Sequence, residues 1–253
     1  MKTPSSVVGL LIASFVVAVG TFALLFFVSA PYGRHARQGW GPTVRNRWGW
    51  VLMESPSAVA MLVFFMIGAR ERTVTRLVLF GLWELHYAYR AFLYPFRLRS
   101  DSRSMPLLVA LMGMGFNAFN ASLNGNHLFV LSECYTLAWL IDGRFIVGIA
   151  LFLAGLGVNR AADATLRRLR APGEIGYSIP YGGLYRWVSC PNYFGEIVQW
   201  VGWALATWSL PGLAFAVWTT ANLAPRARSH HRWYREHFAD YPPERKALLP
   251  GIW

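Results

Sequence analysis

Long apolar runs, separated by short arginine-bearing segments, dominate the sequence. The runs cover approximately residues 7–28, 50–69, 74–94, 105–122, 143–159, 194–210 and 212–225. A helix needs ~20 mostly apolar residues to cross the hydrocarbon core of a bilayer. The pattern therefore predicts an all-α polytopic membrane protein with seven transmembrane helices.

The first run also resembles part of a secretory signal peptide, because Lys2 precedes it and the small residues Ser29 and Ala30 follow it. Its apolar stretch over 7–28 is longer than the ~7–15 residues of a signal h-region. We therefore interpret it as a retained transmembrane helix.

Composition supports the membrane class. The chain is 55% hydrophobic and 14% charged, whereas a soluble domain carries about 25% charged residues. Its 12 tryptophans suit the interfacial belts of membrane proteins, where an apolar ring with one polar atom is favoured.

The net charge of +12 comes mainly from arginine, with Lys2 and Lys246 as the lysines. Nucleic-acid binding is one explanation of such charge, but the basic residues lie in short loops between apolar runs, so we predict no nucleic-acid partner. With the N-terminus outside, 18 basic residues fall in inner loops and five in outer ones. This asymmetry predicts a cytoplasmic C-terminus and an inner loop over 160–193.

Ionisable residues within the apolar runs indicate function, because charge in lipid is costly. They include Glu84, His86 and Arg90, but Glu54 and Tyr87 are the most informative, since their positions in runs two and three give them similar depth. Burial favours the protonated form of a carboxyl group, and such a group beside a tyrosine hydroxyl offers two donors to a carbonyl oxygen. The alternative is a structural hydrogen bond between two helices.

A second set of polar residues lies at the inner ends of runs five, six and seven. Its members are Asn159, Asp163, Asn192, Glu196, Arg226, Arg228, His230 and His231. Amides, arginines and carboxylates suit a ligand with phosphate and ribose groups. Contact of the arginines with anionic lipid is the alternative.

Two other motifs are discounted. Gly113, Gly115 and Ala118 form G-x-G-x-x-A inside an apolar run with no preceding strand, so helix packing is favoured over dinucleotide binding. The histidines near residue 230 lack a supporting group of cysteines or carboxylates, so we predict no metal site.

Several ordered segments resemble the steroid 5-alpha-reductase family. In the C-terminal half they are residues 171–184, 189–196, 204–211, 230–234, 240–242 and 245–250, and in the N-terminal half residues 50–57 and 86–87. The resemblance is close over roughly residues 155–253.

The resemblance implies a seven-helix fold and NADPH-dependent reduction of the 4,5 double bond of a 3-oxo-4-ene steroid. It implies that Glu54 and Tyr87 hold the 3-oxo group and that Trp50 and Met53 contact the substrate. The cofactor residues it implies are Asn159, Asp163, Arg170, Tyr177, Asn192, Glu196, Arg226, His230 and Tyr234.

Two positions depart from the family pattern. Met53 stands where well-known animal members have Gln, which affects substrate fit. Ser178 stands where the family has an Arg, so the resemblance does not carry one cofactor contact over to this position.

The resulting prediction is one integral membrane domain over 1–253, with substrate-pocket helices within 1–125 and a cofactor-binding part over 143–253. We expect a monomer in contact with membrane lipid, in a bacterial plasma membrane or the endoplasmic reticulum, acting on a steroid or related enone lipid. The main alternative is a membrane methyltransferase of the isoprenylcysteine carboxyl type, using S-adenosylmethionine. A non-catalytic lipid-binding protein would leave the inner polar residues without a role.

Overall fold

The structure is a computed structural model that describes residues 4–31, 33–35, 37, 39–98, 104–169 and 176–253. Within these ranges the α-helices are α1 Ser5–Phe27, α2 Asn46–Ile67, α3 Val74–Ala88, α4 Leu107–Asn126, α5 Gly143–Arg168, α6 Pro191–Thr207 and α7 Leu210–His237. Every predicted run has a helix, so the prediction of an all-α architecture is confirmed.

The helix ends differ from those predicted. α5 continues to Arg168 rather than ending at 159, and α7 continues to His237 rather than ending at 225. Both extensions are polar, so the loss of apolar character did not mark the end of either helix. The first part of the predicted loop over 160–193 is therefore helical.

Four of the described helical segments are long and apolar enough to cross a membrane. They are Ser5–Phe27, Asn46–Ile67, Leu107–Leu131 and Gly143–Arg168. Such segments are typical of an integral membrane protein.

Two short strands, β1 Thr43–Arg45 and β2 Ser104–Pro106, pair antiparallel, with Val44 opposite Met105. They hold the start of α2 beside the start of α4. Three residues are too few to produce a recognisable strand pattern, so the sequence did not predict them.

The described chain divides into two compact units, the first formed by residues 1–10 and 31–146. In this unit α2 packs against α3 and α4. Gly113 of α4 faces the Met53 side chain, and Gly125 faces Phe64. Gly113 therefore serves helix packing within α4, whereas nothing lies within 4 Å of a carbon added at Gly115, the second glycine of the G-x-G-x-x-A motif.

Two helices of the first unit end in π-helical turns. Tyr89–Leu93 follows α3, and His127–Leu131 follows α4. The buried Arg76 guanidinium donates to the carbonyl oxygens of Leu128 and Ser132, 2.9 and 2.7 Å away. The Arg76 guanidinium thus supplies hydrogen bonds to carbonyl groups at the π-helical turn His127–Leu131.

The second unit comprises residues 11–30 and 147–253. Here glycines allow α5 and α6 to approach backbone to backbone: Gly155 of α5 lies against Gly195 and Gln199 of α6. Gly148 and Gly202 make a similar contact. Small residues serve this purpose generally between membrane helices.

Hydrogen bonds join the C-terminal segment of the second unit to Ser189, which lies just before α6. Ser189 is the centre of this contact: its hydroxyl lies 2.7 Å from both His231 Nδ1 and the Tyr241 hydroxyl, and it donates to the Lys246 carbonyl oxygen at 3.1 Å. Burial lowers the pKa of His231 and raises the pKa of Tyr241, so both groups are neutral near pH 7.

A Gly155→Ala substitution should destabilise the second unit, because its methyl group would meet the α6 backbone, which cannot move aside as a side chain can. Overpacking of this kind costs about 1–3 kcal/mol. Thermal unfolding in detergent should show a lower midpoint for this variant. Gly157→Ala is the matched control, since nothing lies within 4 Å of its added carbon; equal midpoints for the two variants would contradict the packing argument.

Candidate active site

The first unit brings Glu54 of α2 close to two nitrogen donors. Asn117 Nδ2 of α4 donates to Glu54 Oε2 at 3.3 Å. Arg90 Nε lies 3.7 Å from Glu54 Oε1, and both side chains are largely buried, with 14% and 12% of their surfaces exposed. The carboxyl group is therefore held at a defined place in the helix bundle.

Tyr87 of α3 is buried at the same place. Its hydroxyl donates to Asn117 Oδ1 at 3.4 Å, and its ring packs against Trp83 with centroids 5.0 Å apart. Trp83 in turn donates to the Ser57 carbonyl oxygen of α2 at 3.1 Å. Glu54 and Tyr87 thus share Asn117 as a hydrogen-bond partner.

Aromatic rings enclose the cation beside Glu54. The Arg90 guanidinium lies 4.6 Å from the Trp50 ring centroid and 4.8 Å from that of Tyr94. These cation–π contacts stabilise a buried guanidinium. Trp50 and Met53 are the two residues expected to contact the substrate. In the structure Trp50 contacts Arg90, and Met53 packs against Gly113.

The second unit joins four of the predicted cofactor residues in one partly buried network, in which Asn159 and Asp163 are the buried members. Asn159 Nδ2 of α5 donates to the Asn192 carbonyl oxygen at 3.0 Å and to Glu196 Oε2 at 3.3 Å. Asn192 Nδ2 donates to Asp163 Oδ1 at 3.2 Å. Each helix supplies a pair with i, i+4 spacing, which places both members on one face.

Arg226 and His230 of α7 meet through a residue that the sequence interpretation did not select. Arg226 Nη2 donates to the Tyr193 hydroxyl at 3.0 Å, and that hydroxyl lies 3.0 Å from His230 Nε2. The hydroxyl accepts from Arg226, and the His230 tautomer decides which partner donates in the bond between Tyr193 and His230. Arg228, by contrast, places its guanidinium 4.1 Å from the Phe26 ring centroid.

The other predicted cofactor residues have different surroundings. Tyr177 packs edge-on against Trp233, with centroids 5.2 Å apart. Tyr234 is 2% exposed and stacks on Tyr241, within a core that includes Ile179. Arg170 lies outside the described residues.

Sequence reasoning missed Asn117 and Tyr193. Asn117, Asn120 and Asn124 recur along one face of α4 and are all buried. Repeated amides in an otherwise apolar run were the available signal. No sequence signal marked Tyr193, because a tyrosine near a helix end is common in membrane proteins.

Sequence comparison relates the chain to a known family of proteins. The family model described as 3-oxo-5-alpha-steroid 4-dehydrogenase matches residues 103–253. A steroid 5-alpha-reductase from Gossypium hirsutum is 42% identical over 247 residues, covering 96% of each chain. The human 3-oxo-5-alpha-steroid 4-dehydrogenase 2 is 42% identical over 239 residues, covering 93% of each, and the Bos taurus type 1 protein is 41% identical over 235 residues, covering 91% of each.

The apolar helices and the matched relatives define the class as an integral membrane oxidoreductase of steroid metabolism. More specifically, the chain belongs to the steroid 5-alpha-reductase family, also described as 3-oxo-5-alpha-steroid 4-dehydrogenases. The resemblance noted in the sequence is confirmed, and the methyltransferase alternative is not favoured.

Proposed function

We propose that the protein reduces the 4,5 double bond of 3-oxo-4-ene steroids with NADPH, and that Glu54 and Tyr87 polarise the 3-oxo group. The observation that carries this proposal is the convergence of both side chains on Asn117 within the first unit. The names of the matched relatives support the same reaction.

The chemistry follows from hydrogen-bond donation to one oxygen. A Tyr87 hydroxyl and a protonated Glu54 donating to the 3-oxo oxygen withdraw electrons from the enone and make C5 electrophilic. They also stabilise the negative charge that develops on that oxygen, which is a large catalytic term in a water-poor site. NADPH, when bound, supplies the hydride that C5 accepts, and C4 is then protonated.

The donor set of the second unit fits a dinucleotide phosphate. The Arg226 guanidinium suits a phosphate group, because its N–H groups form charge-assisted hydrogen bonds. Asn159 and Asn192 supply amides, and Asp163 and Glu196 supply carboxylates that can accept from ribose hydroxyls. We infer that these residues, with Arg170, Tyr177, His230 and Tyr234, hold NADPH.

Seven membrane crossings and a cytoplasmic C-terminus are part of the proposal. The four long apolar helices support it, and the arginine-rich segments fall on the proposed inner side. We propose a monomer whose steroid substrate partitions in the surrounding lipid.

Glu54→Gln and Tyr87→Phe should each lower kcat by about 10²–10³-fold, the range for loss of one oxyanion donor. Glu54→Gln keeps an amide donor and should be the milder variant. The measurement is NADPH oxidation with a 3-oxo-4-ene steroid, alongside the dissociation constant for NADPH, which should hardly change. The double variant should lose less than the product of the single effects, because the two groups act together.

Two neighbouring substitutions serve as controls. Tyr89→Phe removes a hydroxyl two residues from Tyr87, and Glu84→Gln neutralises another carboxyl of α3; both should keep turnover close to the wild-type value. Near-wild-type turnover in a folded Tyr87→Phe protein that still binds NADPH would rule out the proposed mechanism.

Arg226→Leu should weaken NADPH binding by about 10–100-fold, as expected for hydrogen bonds to a charged group. NADH binding should weaken less, because NADH lacks the 2′-phosphate. Direct titration of both cofactors measures the difference, with the exposed Arg232→Leu on the same helix as control. Equal wild-type affinity for the two cofactors would refute the preference for NADPH.

Labelling with a membrane-impermeant maleimide tests the topology. Cys134 is exposed and lies in a proposed outer loop, so intact cells should label the wild-type chain. In a Cys134→Ser background, Trp253→Cys should be labelled only after permeabilisation. The reverse pattern would overturn the orientation.

A further inference from the structure

Every hydrogen-bonding position of the Asn117 side-chain amide has a partner at or next to Glu54 and Tyr87. It is 7% exposed on α4. Its Nδ2 donates to the Met53 carbonyl oxygen at 2.8 Å and to Glu54 Oε2 at 3.3 Å. Its Oδ1 accepts from the Ser57 hydroxyl at 3.0 Å and from the Tyr87 hydroxyl at 3.4 Å. An amide has two N–H donors and two acceptor positions, so its capacity is filled.

The orientation of this amide follows from one partner. The Met53 carbonyl oxygen can only accept, so the atom 2.8 Å from it must be the nitrogen. The oxygen of the amide then faces Ser57 and Tyr87. The short distance to Met53 thus determines which side of the group donates and which accepts.

This orientation has a consequence for each catalytic donor. Asn117 Nδ2 donates to Glu54 Oε2 at 3.3 Å, whereas Arg90 Nε lies 3.7 Å from Oε1, beyond hydrogen-bond length. Oε2 is therefore the oxygen used as an acceptor, and Oε1 is the oxygen we assign to the proton of a protonated Glu54. Because Asn117 Oδ1 accepts from Tyr87, the phenol hydroxyl is held in place by a weak bond of 3.4 Å. A substrate carbonyl oxygen can replace so long a bond at little cost.

We propose that Asn117 is a positioning residue for enone reduction, which directs the Glu54 proton to Oε1 and holds the Tyr87 hydroxyl ready for the 3-oxo oxygen. The inference rests on the proposed roles of Glu54 and Tyr87. It assigns to one amide the alignment of two donors that come from different helices, α2 and α3.

Asn117→Leu removes all of these hydrogen bonds at similar side-chain volume. We expect kcat to fall about 10–100-fold, the range for bonds to a charged or reacting group, with the NADPH dissociation constant unchanged. Asn124→Leu is the matched control: Asn124 is a buried amide two turns further along α4 that donates to the Asn120 carbonyl oxygen. It should lower thermal stability while leaving kcat within about threefold of wild type.

Asn117→Asp addresses the case in which Asn117→Leu does not fold. It keeps an oxygen toward Ser57 and Tyr87 but replaces the nitrogen that donates to Glu54. The aspartate variant should also lose turnover, and the pH profile of kcat should change, because a new titratable group adjoins Glu54. Wild-type kcat and pH profile in a folded aspartate variant would overturn the inference.

A double-mutant cycle separates positioning from structural support. If Asn117 acts through Tyr87, Asn117→Leu should cost less in a Tyr87→Phe background than in the wild type. Equal costs in both backgrounds would show that Asn117 only supports the fold. Turnover lost in Glu54→Gln and Tyr87→Phe but retained in Asn117→Leu would refute this inference alone, whereas turnover retained in all three would refute the proposed function.

Discussion

Polar groups buried among apolar helices must find hydrogen-bond partners inside the protein, because lipid supplies none. In the first unit Asn117 meets this requirement where three helices pack: its amide reaches α2 at Met53 and Glu54 and α3 at Tyr87. A misplaced helix would leave several of these groups unpaired, at a cost of about 1–3 kcal/mol each. The same bonds that select the helix arrangement therefore also place the proposed catalytic groups.

The second unit meets the same requirement by close helix packing. Gly155 and Gly195 bring α5 and α6 into backbone contact; Gly155 lies one turn before Asn159, and Gly195 directly precedes Glu196. At this separation the short asparagine side chain of α5 can reach both a backbone carbonyl and a carboxylate of α6. The glycines and the polar network are thus parts of one arrangement, since wider helix spacing would break the bonds between them.

Apolar runs predicted the helices well, because a stretch that must lie in lipid has to be apolar and helical. They did not predict the ends of α5 and α7, where polar residues continue the helix outside the apolar run. The cost of ionisable residues within apolar runs led to the prediction of a site at Glu54 and Tyr87. Asn117 carries no charge and was overlooked, and its role depends on distances between three helices that no local pattern contains.

Arg90 completes the electrostatics of the proposed carbonyl site. Its guanidinium lies between Trp50 and Tyr94, whose ring faces stabilise the cation without neutralising it. Arg90 Nε is 3.7 Å from Glu54 Oε1, beyond ordinary hydrogen-bond length. In the proposed mechanism, which requires a protonated Glu54, this arrangement would leave net positive charge near the substrate oxygen that becomes negative during reduction. A fixed charge in a water-poor site needs no reorganisation as the reaction proceeds, so its stabilising effect is large.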